Sequence, residues 1–240
     1  MLLVSTAYAE EYGNHRFISY ARDWLTLALV FVAYREMDWF TLKGLDHHLE
    51  NNWIIWDRSF LQTYGGRNLI EGAGVWIPGL LELSYLLVYA VGPFTVAMLY
   101  MFGRRDQIGR VLFVYVVGTV AVYGLFPYFP SSPPRVVFPN ADLPGVTTFL
   151  RRFNLFLVGG YGIHSSVFPS AHVSSAFSAA WAFLVFLPEQ KKLGILMAVY
   201  AALVALATVY GRYHFAVDAL AGIGISFLAA GLGLALKRYR

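Results

Sequence analysis

Six stretches of mostly apolar residues, each long enough to cross a bilayer, constrain this chain more than any other feature of its sequence. A spanning helix needs about 20 such residues, and backbone polar groups inside lipid must be satisfied within helices or closed barrels. Of the 240 residues, 58% are hydrophobic and only 13% are charged, whereas about 25% are charged in an ordinary soluble domain. The sequence predicts an all-α integral membrane protein, a bundle of six transmembrane helices over residues 20–37, 75–102, 109–127, 172–188, 193–210 and 214–236.

The remaining segments are too short to form a second core, so we expect residues 1–240 to form a single membrane domain. The chain has no cysteine, which excludes disulfides, thiolate nucleophiles and cysteine-ligated metals. The net charge of +4 fits the excess of basic residues in cytoplasmic loops, and no nucleic-acid partner is expected.

The distribution of basic residues predicts the orientation of the chain. Ten of the 18 Lys and Arg residues lie in four short segments, and the other eight are spread over loops about twice as long. Basic residues concentrate in short cytoplasmic loops. We therefore expect both termini in the cytoplasm, together with the four short segments 1–22, 103–110, 188–192 and 237–240.

An aromatic stripe follows the first predicted span. Its residues recur at spacings of three and four, which is typical of one helix face. We expect an extra helix lying flat on the outer membrane interface; the alternative is a helix that packs on the bundle. The stripe consists of Leu45, Leu49, Trp53, Trp56 and Phe60.

Three polar clusters lie between the spans, and the first ends in Arg135. Four prolines between Pro127 and Pro134 precede this arginine and predict a stiff, non-helical segment. A stiff backbone favours anion binding because the cation is already positioned. The alternative is a connector whose arginine meets lipid headgroups.

The second cluster is Phe168-Pro169-Ser170-Ala171-His172 at the start of the fourth predicted span. A helix start presents unpaired N–H groups and a positive dipole end, which together favour anions. A phosphate there would contact Ser170, the amides near Ala171 and His172. The alternative is an interfacial histidine bonded to a neighbour.

The third cluster contains Arg212, His214 and Asp218. His214 and Asp218 are four residues apart and share a helix face if the sixth helix begins near His214. A carboxylate bonded to one imidazole nitrogen leaves the other nitrogen free as a nucleophile or base. The alternative is a purely structural pair.

Topology places all three clusters on one side of the membrane. No span separates Arg135 from His172, and two spans separate His172 from His214. Two histidines, a carboxylate and two arginines at one depth suit phosphoryl transfer, in which cations and helix dipoles meet the developing charge. We expect the site to face the extracytoplasmic side.

At these residues the sequence resembles the type 2 phosphatidic acid phosphatase superfamily, whose pattern is K-x6-R-P, P-S-G-H and S-R-x5-H-x3-D. The resemblance covers about 75–236, the expected catalytic core. It implies that His214 attacks phosphorus to form a phosphohistidine, that His172 protonates the leaving oxygen and that Asp218 orients His214. It implies phosphate binding by Arg135, Arg212, Ser170 and Ala171, and no metal or cofactor.

The chain departs from this pattern at several positions. Tyr128 stands where the pattern has Lys, Val136 where it has Pro, Ala171 where it has Gly, and Thr208 where it has Arg, so that Arg212 is the arginine nearest to His214. The forms Pro-Pro-Arg and Arg-Tyr-His-x3-Asp resemble the inositol phosphorylceramide synthase-like branch, which includes phosphotransferases.

Three functions follow as alternatives: a lipid-phosphate phosphatase, a lipid head-group phosphotransferase with an alcohol such as a polyol as acceptor, and a proton-coupled transporter. The substrate would be a phospholipid or a polyprenyl phosphate held among membrane lipids. Glu82, near the outer end of the second span, is expected to support the site by pairing with an arginine or histidine.

Overall fold

The computed structural model describes residues 16–42 and 47–238, and this part of the chain folds entirely into helices and loops. A 3-10 turn, Val88–Ala90, joins the helix Trp76–Leu87 to the helix Val91–Met101, and a π-helical turn, Ser59–Thr63, follows the helix His48–Arg58. The α-helices are α1 (Arg16–Phe40), α2 (His48–Arg58), α3 (Gly66–Glu71), α4 (Trp76–Leu87), α5 (Val91–Met101), α6 (Ile108–Leu125), α7 (Pro134–Val137), α8 (Phe149–Tyr161), α9 (Ala171–Phe186), α10 (Lys191–Tyr210) and α11 (Ala216–Arg238).

Four of the predicted spans are long and apolar enough to cross a membrane. They are Trp76–Met101, Arg105–Tyr128, Pro188–Tyr210 and Ala216–Lys237. The span predicted over 172–188 is the shorter apolar helix α9, of 16 residues. The span predicted over 20–37 lies within α1, and a count of six crossings stays a prediction.

Helix α9 lies at the centre of the bundle, in contact with α6, α10 and α11. Small side chains allow this close packing, as small residues do between membrane helices generally. Ala179 is fully buried, and Ser174 Oγ donates to the Gly118 carbonyl at 2.7 Å. A Cβ atom at Gly118 would lie 2.0 Å from Ser178 Oγ, so α6 approaches α9 only because this position is glycine.

A second close approach brings the start of α9 against α11. A Cβ atom at Gly222 would lie 2.6 Å from the Ser170 carbonyl oxygen. The Ser170 amide donates to the Asp218 carbonyl at 3.0 Å. These contacts place His172, in the first turn of α9, beside the loop that carries His214.

The aromatic stripe divides between two surfaces. Leu45 lies outside the described residues, and the helix runs from His48 before it changes to the π-helical turn. Trp53 packs inward against Phe168 and Phe215, whereas Trp56 is exposed. The helix therefore packs on the bundle with one face, and its placement at the membrane interface stays a prediction.

The proline-rich segment is helical over two short stretches, which corrects the non-helical expectation. Phe126–Tyr128 forms a 3-10 turn and Pro134–Val137 a single helical turn. Both have proline in the first helical positions, where its missing N–H has no acceptor to lose.

The short basic segments gather at one end of the bundle, opposite the three polar clusters. Arg104 pairs with Glu189, Arg105 pairs with Asp23 of α1, and the Lys237 ammonium lies over the Phe186 ring. The start of α1 and the segments near 105, 189 and 237 therefore share one end of the molecule.

Candidate active site

The two predicted histidines meet at the end of the bundle opposite the basic segments. His172 Nδ1 lies 3.3 Å from His214 Nε2, and His172 Nε2 lies 3.4 Å from the Tyr89 hydroxyl. One histidine comes from the first turn of α9 and the other from the loop before α11. Residues 42 positions apart thus form one pair.

Two oxygen acceptors orient the His214 ring. Its Nδ1 donates to the Val167 carbonyl at 2.9 Å and lies 3.3 Å from Asp218 Oδ2. A carbonyl oxygen can only accept, so the proton is assigned to Nδ1 and the lone pair to Nε2. Nε2, the nitrogen that faces His172, is therefore the one with the lone pair.

Asp218 accepts a second hydrogen bond, from the Phe215 amide at 2.9 Å. Helix α11 begins at Ala216, so His214 precedes the helix instead of sharing its face as predicted. The contact with Asp218 forms because the loop folds back over the first turn, and the carboxylate fixes both the ring and the backbone beside it.

Burial keeps His214 in its neutral form. Desolvation lowers the pKa of His214 to about 3; the bond to the Val167 carbonyl opposes this shift, and the positive charge of Arg135 adds to it. A neutral imidazole retains the lone pair that an attack on phosphorus requires.

Arg135 supplies positive charge beside this pair. It lines a cavity of about 50 Å³ together with His172 and His214, and its guanidinium lies 5.4 Å from the centre of the Tyr213 ring. In the described part of the chain, no carboxylate forms an ion pair with it. The guanidinium is therefore available to an anion in the cavity.

Ser170 and Ala171 occupy different positions at the start of α9. Ser170 is fully buried, and its hydroxyl caps the helix by accepting from the Val173 amide at 3.4 Å. Ala171 lines the same cavity as the histidines. The first turn of a helix leaves backbone N–H groups without intrahelical acceptors, so the backbone here can bind an anion while the Ser170 hydroxyl is engaged.

Arg212 lies outside the residues that line this cavity. Its Nη1 donates to Asp57 Oδ2 at 2.6 Å, and both side chains are almost completely buried. Its Nε and Nη2 have no partner among the described residues. Asp57 therefore holds one edge of the guanidinium, and the predicted phosphate contact stays a prediction.

Glu82 forms a buried network behind the histidines. It pairs with Arg151 Nη1 at 2.9 Å, and it accepts from Asn154 Nδ2 and from the Tyr213 hydroxyl, each at 2.7 Å. The Tyr213 ring stacks on Tyr85 with centroids 3.9 Å apart. Tyr85 in turn stacks on His172, at 5.1 Å, so the network supports one face of His172.

An apolar groove of about 450 Å³ adjoins the smaller cavity. Trp24, Leu27 and Phe31 of α1 line one wall of this groove. The residues that line both spaces are Tyr34, Tyr89, Ala171 and His172. The groove therefore leads from the apolar surface of the bundle directly to His172.

Sequence reasoning missed several residues of this site. Arg151 lies in a segment that was predicted as loop but folds into α8, capped by the Thr148 hydroxyl. An amphipathic pattern over Phe149–Tyr161 was the available signal. Asp57 could have been suspected because it shares a helix face with Glu50 and Trp53, whereas the Val167 carbonyl has no side-chain signal.

The chain is similar to known proteins in sequence and in fold. The sequence model of the PAP2 superfamily matches residues 68–232, a range that contains every predicted site residue. The crystal structure of Aquifex aeolicus LpxE superposes with a TM-score of 0.54 at 20% identity, over 72% of this chain and 94% of that one, and shows a shared fold. No curated protein matches the chain. Because the family match covers more than half of its length, the chain belongs to the PAP2 superfamily, as its motifs indicated.

Proposed function

We propose that the protein is an integral membrane phosphatase that hydrolyses a lipid phosphate through a phosphohistidine intermediate. Membership in the PAP2 superfamily supports a phosphatase that acts on a lipid phosphate. The observation that carries the mechanism is the histidine pair, in which Nε2 of His214 holds its lone pair toward His172. Arg135 beside the pair can bind phosphate oxygens.

In the first step, His214 Nε2 attacks phosphorus and forms a P–N bond. The P–O bond to the lipid alcohol breaks, and His172 donates a proton to the leaving oxygen. In the second step, a water attacks phosphorus, His172 accepts its proton, and the P–N bond breaks to release inorganic phosphate. Arg135 and the first-turn amides of α9 stabilise the charge on the phosphoryl oxygens in both steps, and neither step needs a metal.

Asp218 and the Val167 carbonyl keep the proton of His214 on Nδ1. They also stabilise the positive ring that forms as Nε2 bonds to phosphorus. Glu82 supports the site through Tyr213 and Tyr85, which hold the ring of His172.

The groove beside His172 supports a lipid substrate. It can hold a hydrocarbon chain while the phosphate lies between the histidines and Arg135. Phospholipids and polyprenyl phosphates both satisfy this requirement. The basic-residue distribution supports a site on the extracytoplasmic side, with both termini in the cytoplasm.

Transfer to an alcohol is the second candidate function, favoured by the Arg-Tyr-His-x3-Asp form of the third motif. It differs only in the acceptor, since an alcohol replaces water in the second step. Purified protein should be incubated with phosphatidate and with a polyprenyl phosphate, with and without inositol. Free phosphate identifies a phosphatase, and a new phosphorylated polyol or lipid identifies a transferase.

The histidines provide the direct test of the mechanism. His214→Ala and His172→Ala should each lower kcat on the order of 10³-fold or more, because nucleophile and acid act as a unit. His164→Ala is the matched control, since its side chain is 62% exposed and should retain full turnover. Labelled phosphate should be trapped on wild-type protein and not on His214→Ala; full activity in either site variant would contradict the mechanism.

A further inference from the structure

Helix α2 ends before the part of the chain that matches the PAP2 superfamily, yet one face of it contacts every loop that carries a candidate site residue. Glu50, Trp53 and Asp57 lie at spacings of three and four and so share this face. Glu50 is 2% exposed and Asp57 is fully buried. Carboxylates are rarely buried without partners. Glu50 has one partner beside its own helix, His47 Nδ1 at 3.1 Å, and the other partners of the two carboxylates come from the loops of the site.

Asp57 binds the loop of the third cluster both before and after His214. Its Oδ2 accepts from Arg212 Nη1 at 2.6 Å, and its Oδ1 accepts from the Ala216 amide at 2.8 Å. Arg212 has φ of 60°, a left-handed conformation that side-chain residues rarely adopt. One carboxylate thus fixes the path of the backbone that carries His214.

The same contact extends to Arg135. The Arg212 carbonyl accepts from the Arg135 amide at 3.3 Å, so the residue held by Asp57 in turn holds the backbone of the candidate phosphate-binding arginine. The positions of both the segment that carries Arg135 and the loop that carries His214 therefore depend on where Arg212 lies.

Trp53 contacts the loops that precede and follow the two histidines. Its ring stacks on Phe168 with centroids 5.1 Å apart and meets Phe215 edge-on at 5.6 Å. Phe168 lies four residues before His172, and Phe215 follows His214 directly. The indole therefore packs between the second and third motifs.

Glu50 holds the proline-rich segment. Its Oε1 accepts from the Ser132 amide at 2.9 Å, three residues before Arg135. Together with Asp57 and Trp53, this contact completes a set in which each of the three motif-bearing loops bonds to or stacks on α2.

We infer that α2 positions the active-site loops, with Asp57 as the principal positioning residue for His214 and Arg135. The expected loss of turnover when α2 is altered rests on the proposed function, whereas the expected change in amide exchange of the loops does not. The three side chains line neither of the two spaces beside His172. Losing Asp57 should therefore lower kcat, while KM for the lipid changes little.

Amide hydrogen exchange of the full chain in detergent tests this inference without requiring activity. In Asp57→Asn, exchange should accelerate at residues 211–216 and at the amides of Arg135 and Val136, and it should remain unchanged in the cores of α9 and α10. In Glu50→Gln, exchange should accelerate at the Ser131 and Ser132 amides and at the start of α2, where Glu50 also bonds to His47, and it should remain unchanged at 211–216. Asn51→Ala, on the exposed face of the same helix, is the matched control and should leave all of these segments unchanged.

Kinetics provide the second measurement. Asp57→Asn should lower kcat about 10–100-fold, as a displacement of reacting groups by about 1 Å does, with KM within about twofold of wild type. The inference would be overturned if faster exchange were confined to α2 or spread over the whole bundle. It would also be overturned if Asn51→Ala accelerated exchange equally, or if kcat of Asp57→Asn were unchanged. If wild-type protein releases no phosphate from any lipid, the proposed function fails and the exchange experiment still decides the role of α2.

Discussion

Two arginines of this protein have different surroundings. Arg135 is half-buried at the cavity with the histidines, and it forms no ion pair among the described residues. Arg212 is 1% exposed and paired with Asp57. Desolvation raises the pKa of Asp57, and the charge of Arg212 opposes this shift. The charge of Arg212 therefore favours the ionised form of Asp57, whereas the charge of Arg135 is free for a ligand.

Lysine substitutions separate these roles. Arg135→Lys should reduce transition-state stabilisation by about 2–4 kcal/mol, because a point charge replaces a donor that can bind two phosphate oxygens. Arg212→Lys should reduce kcat less, since lysine retains the charge that pairs with Asp57. Steady-state kinetics on one lipid phosphate measure both; an equal loss in Arg212→Lys, with amide exchange at 211–216 unchanged, would show that Arg212 contacts the phosphoryl group, as its sequence position predicted.

The protonation of His214 gives a second prediction at this scale. Its pKa of about 3 lies below the ordinary value of about 6.5, so the folded protein binds fewer protons here than the unfolded chain between these values. The contribution of His214 to the free energy of unfolding is complete above about pH 6.5 and is lost as the pH falls toward 3. Nitrogen NMR of labelled histidine, assigned by comparison with His214→Gln, should show a neutral ring from pH 8 to 5; a midpoint near 6.5 would contradict the prediction.

At the scale of elements, α1 adds a wall to the site from outside the family match. Leu27 projects toward Gly92, where its Cδ2 lies 3.0 Å from an ideal Cβ position, and the Tyr34 hydroxyl accepts a hydrogen bond from the Ile163 amide at 3.1 Å. The helix therefore closes the groove and supports the loop before α9. Its sequence contributes to the shape of the site without contributing a reacting group.

Filling the groove should separate binding of the lipid chain from chemistry. Leu27→Trp should raise KM for a long-chain lipid phosphate several-fold, because added bulk occupies the space for the chain, and should leave hydrolysis of a soluble aryl phosphate unchanged. Val32→Trp is the control, since Val32 is exposed and lies outside the groove. Equal losses on both substrates, or no loss on either, would exclude the groove as the site of the chain.

The same elements show how far the sequence alone could lead. Helix length and the order of spans follow from local composition, and the number of spans alone predicts that His172 and His214 lie on the same side of the membrane. The pair Arg212–Asp57 joins residues 155 positions apart, and Glu82 reaches Tyr213 across 131 positions. Such pairings depend on how helices pack, which no local period encodes. Arg151 shows the same limit, because its role depends on α8 folding back over α4.

The whole molecule has two chemically distinct ends. Arg104, Arg105 and Lys237 lie at one end, and the histidine pair lies at the other. Basic residues are retained on the cytoplasmic side during insertion. Because the two ends belong to one bundle, the side of the membrane on which one loop lies determines the side on which the site lies.

Single cysteines test this orientation directly, because the chain has none of its own. Asn140 is exposed in the loop after α7, at the site end, and Gln190 lies beside Arg104 and Glu189 at the basic end. In intact cells, an impermeant maleimide should label Asn140→Cys from outside and Gln190→Cys only after permeabilisation. Both variants change exposed or half-buried positions away from the histidines and should retain activity. The reverse labelling would place the histidine pair in the cytoplasm, where the substrate would have to come from the inner leaflet pool instead.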